Sequence, residues 1–137
     1  MKTQEEIDIH ETTIYLLIKQ AKLDNRLEEI EIIYIQAVAE SYDIGIKRVL
    51  EIEDPENFNF RLPQEENKRM AILYHLLFLS KKDKHIDQTE INFIQKMGFH
   101  LGVREEVILE LLEVMKQHIG EVVPSEALLS VFKPYLN

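Results

Sequence analysis

Cysteine is absent from this 137-residue chain, and its absence removes disulfides, zinc thiolate sites, iron–sulfur clusters and thiol nucleophiles from consideration. That fits a reducing compartment, and a cytoplasmic setting is expected. Long apolar runs are missing too: the longest, Met70 to Leu79, is broken by His75 and is too short to span a bilayer. The opening residues Met1 to Glu6 lack the charged-then-apolar pattern of a signal peptide, so a soluble protein without direct membrane insertion is expected. Basic residues are few. Sixteen Lys and Arg face twenty-five Asp and Glu, a net charge of −9, which argues against nucleic acid as a partner because phosphate binding needs a concentrated basic face. The densest cationic stretch, Lys81, Lys82, Lys84 and His85, reads as a solvated helix end complementing the dipole.

Glycine and proline are scarce, four of each. Gly45, Gly98, Gly102 and Gly120 assemble no phosphate-binding loop, and no nucleophile elbow surrounds Ser41, Ser80, Ser125 or Ser130. Between these sparse breaks the apolar residues recur at helical spacing, so the chain reads as all-α. Helix 1 is expected to begin after Thr3, with Glu6 completing a capping box, and to run to about Lys22. Helix 2 follows from about Glu28 to Ser41, and a short helix 3 from about Ile46 to Ile52 stops before Asp54-Pro55. Residues 53–62 read as a connector pinned by Phe58 and Phe60. Pro63 suits the first turn of helix 4, which runs to about Lys81. Helix 5 spans about Gln88 to His100, helix 6 about Arg104 to His118, and helix 7 starts at Ser125 and is limited by Pro134.

Helix 6 is amphipathic, with Val107, Ile108, Leu111, Leu112 and Met115 on one face and Glu105, Glu106, Glu110 and Glu113 largely on another. Helices 2 and 4 are apolar nearly all round and are expected to be buried. These patterns predict a compact single-domain bundle of about seven helices over residues 1–137. Helices 1 and 2 would form one hairpin and helices 4 and 5 a second, as pseudo-symmetric halves.

The symmetry expectation comes from an internal repeat. Residues 13–51 laid over 72–110 without gaps give ten identities in thirty-nine positions, against about three expected by chance. They include Tyr15/Tyr74, Leu17/Leu76, Asp24/Asp83, Glu31/Glu90, Ile35/Ile94, Leu50/Leu109 and Glu51/Glu110. The offset is fifty-nine residues.

Each copy carries an aspartate and a glutamate around a helix–turn–helix. Glu31 and Glu90 stand where a capping box places its glutamate, beside the staples Leu27/Ile32 and Ile86/Ile91. Asp24 and Asp83 sit at the unfavourable pole of the preceding helix. Two readings compensate them: an Asx turn to nearby amides, or a divalent cation ligated by Asp24, Glu31, Asp83 and Glu90. An EF-hand is excluded, because the twelfth loop position is Ile35 or Ile94 and the sixth is Glu29 or Gln88.

A helix ending in a small residue, then Asp, a turn, an aliphatic residue and a Glu seven after the Asp resembles the signature of the tellurite-resistance TerB-like family. The same signature occurs in a DnaJ-type membrane co-chaperone. The stretch from Leu62-Pro63 through Asp83, Ile86 and Glu90 to Leu101-Gly102-Val103 is similar to it, and most of 14–112 is covered. The resemblance implies a duplicated all-helical fold, a role in tellurite or general stress resistance, an association with metal binding, and no established catalytic activity. The family commonly places glycine after the aspartate, where this chain has Asn25 and Lys84.

None of His10, His75, His85, His100 and His118 follows a glutamate by three residues, so a di-iron Glu-x-x-His set is excluded. His75 reads as a partly buried bundle residue, and Tyr15 and Tyr74 as packing residues. The chain is therefore expected to be non-enzymatic. Its leading role is a stress-response module binding another protein through its acidic surface, as a monomer or weak homodimer. The competing role is the divalent-cation protein.

Overall fold

The computed structural model describes residues 1–23, 28–81, 88–121 and 124–135, without the side chains of Ser80, Lys81, Glu90 and Ser125. Among them are seven α-helices: α1 Gln4–Ala21, α2 Glu29–Ser41, α3 Ile46–Ile52, α4 Glu66–Lys81, α5 Gln88–His100, α6 Glu105–Gln117 and α7 Ser125–Phe132. One 3₁₀ turn, Pro55–Asn57, follows α3 and another, Lys133–Tyr135, follows α7. The all-α reading of the sequence holds. The chain divides into two compact units, residues 1–62 and 63–137, and each contains one copy of the repeat.

The repeat is written into the helix ends. α2 and α5 begin and end fifty-nine residues apart, as do the first residues of α3 and α6. The turn after α2 matches the turn after α5 in its two closing bonds. Ile44 N donates to the Ala39 carbonyl at 2.9 Å and Val103 N to the Gly98 carbonyl at 3.1 Å. Asp43 N donates to Glu40 and Gly102 N to Phe99, both at 3.0 Å. This is the six-to-one closure of a Schellman cap, which needs a left-handed residue. Gly102 supplies it at φ 67°, and Asp43 takes the same conformation at φ 61°.

In the first unit α1 starts where Thr3 Oγ1 accepts the Glu6 amide at 3.1 Å, the Thr3 half of the expected capping box. Its apolar face buries Ile14, Leu17, Ile18 and Ala21. Against it pack α2 and α3, contributing Ile35, Val38, Val49 and Ile52. Each such side chain removed from water contributes about 1.5–3 kcal/mol. The connector is strapped across α1 by the fully buried Thr12, whose hydroxyl accepts the Arg61 amide at 2.8 Å and donates to the Asp8 carbonyl at 2.7 Å. Phe58 lies on Tyr15 at 5.1 Å between ring centroids. Phe60, expected as a second anchor, is 57 % exposed, and the strap is held beside it by the backbone bond at Arg61.

Two further expectations change. Pro63 is buried but precedes α4 rather than opening it. The Arg69 guanidinium donates to the carbonyls of Pro63 and Gln64, an arrangement that holds them outside the helical ladder. α2 is not covered all round: Ile30, Ile32 and Ile33 are exposed. Apolar residues on every side bury a helix only where neighbours surround it, and α1 and α3 cover only the side of Ile35, Val38 and Ala39.

In the second unit α4 meets its expectation, with Met70, Leu73, Leu76, Leu77 and Leu79 essentially removed from solvent. α5 packs on α4 and α6. A Cβ at Gly98 would stand only 3.0 Å from Ile108, so glycine there sets how closely α5 and α6 approach. α6 buries Val107, Ile108, Leu111, Leu112 and Met115 and exposes its glutamates. α7 closes on α4 through Phe132, whose ring meets Tyr74 edge-on at 5.5 Å.

Candidate functional site

Of the four repeated carboxylates, Asp24 and Asp83 lie outside the described residues, as do Asn25, Lys84 and the staple residues Leu27 and Ile86. Glu31 is buried, and its Oε1 accepts the Glu28 amide at 3.1 Å. That bond satisfies an amide at the start of α2. Glu90 occupies the equivalent third position of α5, but its side chain is outside those described. Among the described residues no three His, Asp or Glu side chains are arranged to hold a metal ion. The described histidines are dispersed. His10 stacks on the Tyr42 ring at 4.0 Å, burial pushes the half-buried His75 below the usual imidazole range, and His118 Nδ1 lies 2.8 Å from the Val114 carbonyl.

The two copies diverge at the mouth of the duplicated turn. In the second copy Arg104, just before α6, reaches back to α4. Its Nη2 lies 2.7 Å from Glu66 Oε1, and its backbone amide donates to Glu66 Oε2 at 3.2 Å. The hydrogen bond from Arg104 holds the Glu66 carboxyl below the ordinary carboxylate range.

Fifty-nine residues earlier the pair is replaced by Gly45 and Ile7. A side chain at Gly45 would meet nothing within 4 Å, and a cavity of about 260 Å³ opens there, walled by Ile7, His10, Tyr42 and Ile44. Burial raises the Tyr42 phenol above its ordinary range. The cavity's cations are already engaged. Lys2 Nζ bonds to the Tyr42 carbonyl. Arg48 bonds the buried Glu11 through two nitrogens, at 2.6 and 2.9 Å, and the Asn57 carbonyl at 2.9 Å. Those bonds to Glu11 push the guanidinium further above its usual range, so Arg48 ties α1, α3 and the connector together rather than presenting a charge.

The surface of the first unit offers more than its cavity. Residues 1–62 hold seven Lys and Arg against fourteen Asp and Glu, a net −7 of the chain's −9. On this acidic unit α2 exposes Ile33 at 57 % and Ile30 at 41 %, with exposed Ala37 one turn on from Ile33. The equivalent positions on α5 are Thr89, Asn92 and Lys96, all exposed and polar. The shared helix geometry therefore does not require isoleucine there. Even the identical pair differs, since Ile91 is buried while Ile32 is 37 % exposed.

Sequence reasoning missed the Arg48–Glu11 and Arg104–Glu66 pairs and the isoleucine face. The repeat held the signal: Glu11 stands opposite Met70, Arg48 opposite Val107, Gly45 opposite Arg104, and Ile33 opposite Asn92. Comparison with known proteins adds no constraint, for no family model, curated protein or solved structure matches the chain. No described helix is long and apolar enough to cross a membrane.

Proposed function

We propose that the chain is a non-enzymatic protein-interaction module that presents α2 to its partner. The observation that carries this reading is the exposed Ile30–Ile33–Ala37 stripe, at positions where α5 is polar. Leaving isoleucine in water forgoes up to about 1.5–3 kcal/mol per side chain, so a contiguous apolar stripe along one helix of this acidic unit points to a covered state with another molecule. The stress-response setting, of the tellurite-resistance TerB-like kind, rests on the sequence resemblance alone.

The sequence reading gave the contact to the acidic surface, with the α6 glutamates as the face to test, whereas the exposed isoleucines favour α2. The test compares capture of cell proteins by the immobilised chain, by Ile33→Asp, and by the α6 double variant Glu106→Lys/Glu113→Lys. The α2 reading expects specific captures to be lost in Ile33→Asp and retained in the α6 variant. The opposite pattern returns the contact to α6.

A further inference from the structure

Resting on that interaction reading, we infer that the partner of α2 is a basic amphipathic helix lying along the Ile30–Ile33–Ala37 stripe. The stripe has i, i+3, i+7 spacing and runs about 10 Å along the axis, the length over which a second helix inserts two turns of apolar anchors. Ala37 in its line lets the two backbones come close. Exposed Glu29 and Glu40 lie on the same face, before and beyond the isoleucines, so the partner's apolar seam must be flanked by Lys or Arg at both ends. Both acids sit on a unit already carrying −7, which favours a cationic segment at long range as well as in contact.

The same features dismiss other occupants. A second copy would bring Glu29 and Glu40 against an equally acidic face. An extended strand needs unpaired backbone groups at a sheet edge, and a helix has already used its own. A membrane surface attracts helices whose apolar face is bordered by Lys and Arg, and repels this border of glutamates.

The experiment uses the full chain and two labelled amphipathic peptides of about five turns, one of Leu and Lys and one of Leu and Glu, read by fluorescence anisotropy at physiological salt. The Leu/Lys peptide is expected to bind and the Leu/Glu peptide to be ignored. Ile33→Asp is expected to weaken binding about ten-fold or more, a loss of about 1.4 kcal/mol. Glu29→Lys/Glu40→Lys should reverse the preference, and Glu106→Lys/Glu113→Lys should leave it unchanged. All substituted positions are exposed, and circular dichroism confirms that each variant is folded. Absence of Leu/Lys binding, equal weakening by the α2 and α6 variants, or a wild-type dimer broken by Ile33→Asp overturns the inference. If peptide binding is absent while Ile33→Asp still abolishes capture of cell proteins, the partner class is wrong and the interaction reading stands.

Discussion

Replacing Asp43 by glycine should stabilise the protein, although it deletes a side chain. Asp43 closes the Schellman turn after α2 at φ 61°, in the conformation that Gly102 adopts at φ 67° in the equivalent turn after α5. An L residue in that region costs roughly 1–2 kcal/mol, and aspartate lies toward the lower end because its short carboxylate tolerates it. Glycine offsets about 0.4–1 kcal/mol of the gain through its freedom in the unfolded chain. The expected net change is about 0.5 kcal/mol in favour of Asp43→Gly, a rise in Tm of about 2 °C for a chain of this size. Urea titration should show a higher midpoint with an unchanged slope.

Two controls separate backbone from charge. Asp43→Asn removes the negative charge while keeping tolerance of the left-handed region, and should change stability little. Gly102→Ala is the converse experiment. Its Cβ would stand 3.7 Å from Arg69 Nε, an ordinary contact, so the expected loss of about 1 kcal/mol is torsional. If Asp43→Gly lowers stability, or if Asp43→Ala raises it equally, the equivalence of the two turns is refuted.

Glu31→Gln should be nearly neutral, because glutamine also accepts the Glu28 amide, whereas Glu31→Ala should cost about 1 kcal/mol. If the repeated carboxylates bind calcium, magnesium or manganese through Glu31, melts with these ions will instead separate Glu31→Gln from wild type. A double-mutant cycle of Glu11→Gln and Arg48→Met should give a coupling of about 1–3 kcal/mol, since Arg48→Met alone leaves the Glu11 carboxylate buried without its guanidinium. A coupling near zero would mean that the pair does not brace α1 against α3. His75, pushed below the ordinary value of 6.5 by burial, binds its proton more readily in the unfolded chain. Its contribution to stability should fall as pH drops below about 6.5. His75→Gln should flatten that slope between neutral pH and about pH 5, as read by urea midpoints at each pH.

The sequence reported on what depends on neighbours along the chain and was weaker on what depends on neighbours in space. Thr3 as a cap, the ends of α3 and α5, the start of α7 and the amphipathic face of α6 follow from local chemistry, and each was legible. Glu31 as a capping residue was legible for the same reason. The cover over α2 was not, because Ile30, Ile32 and Ile33 look the same on a helical wheel whether or not another helix lies above them. Pro63 was misplaced because the side chain that holds its carbonyl, Arg69, lies six residues ahead. The ion pair joining Arg48 to Glu11 spans thirty-seven residues, beyond the reach of any periodicity.

The Thr12 strap bears on how the first unit reaches its native state. Its bond to the Arg61 amide joins residues forty-nine apart, while the caps of α1 and α2 join residues three to five apart. Helices form in about a microsecond, but a contact of such separation waits on the diffusion of the intervening chain and carries its loop-closure entropy. The first unit thus has a natural order of assembly, with its helices early and its strap late. On the reverse path the connector is expected to release early, and native-state hydrogen exchange should then find the Arg61 amide less protected than the amides of the core on α1.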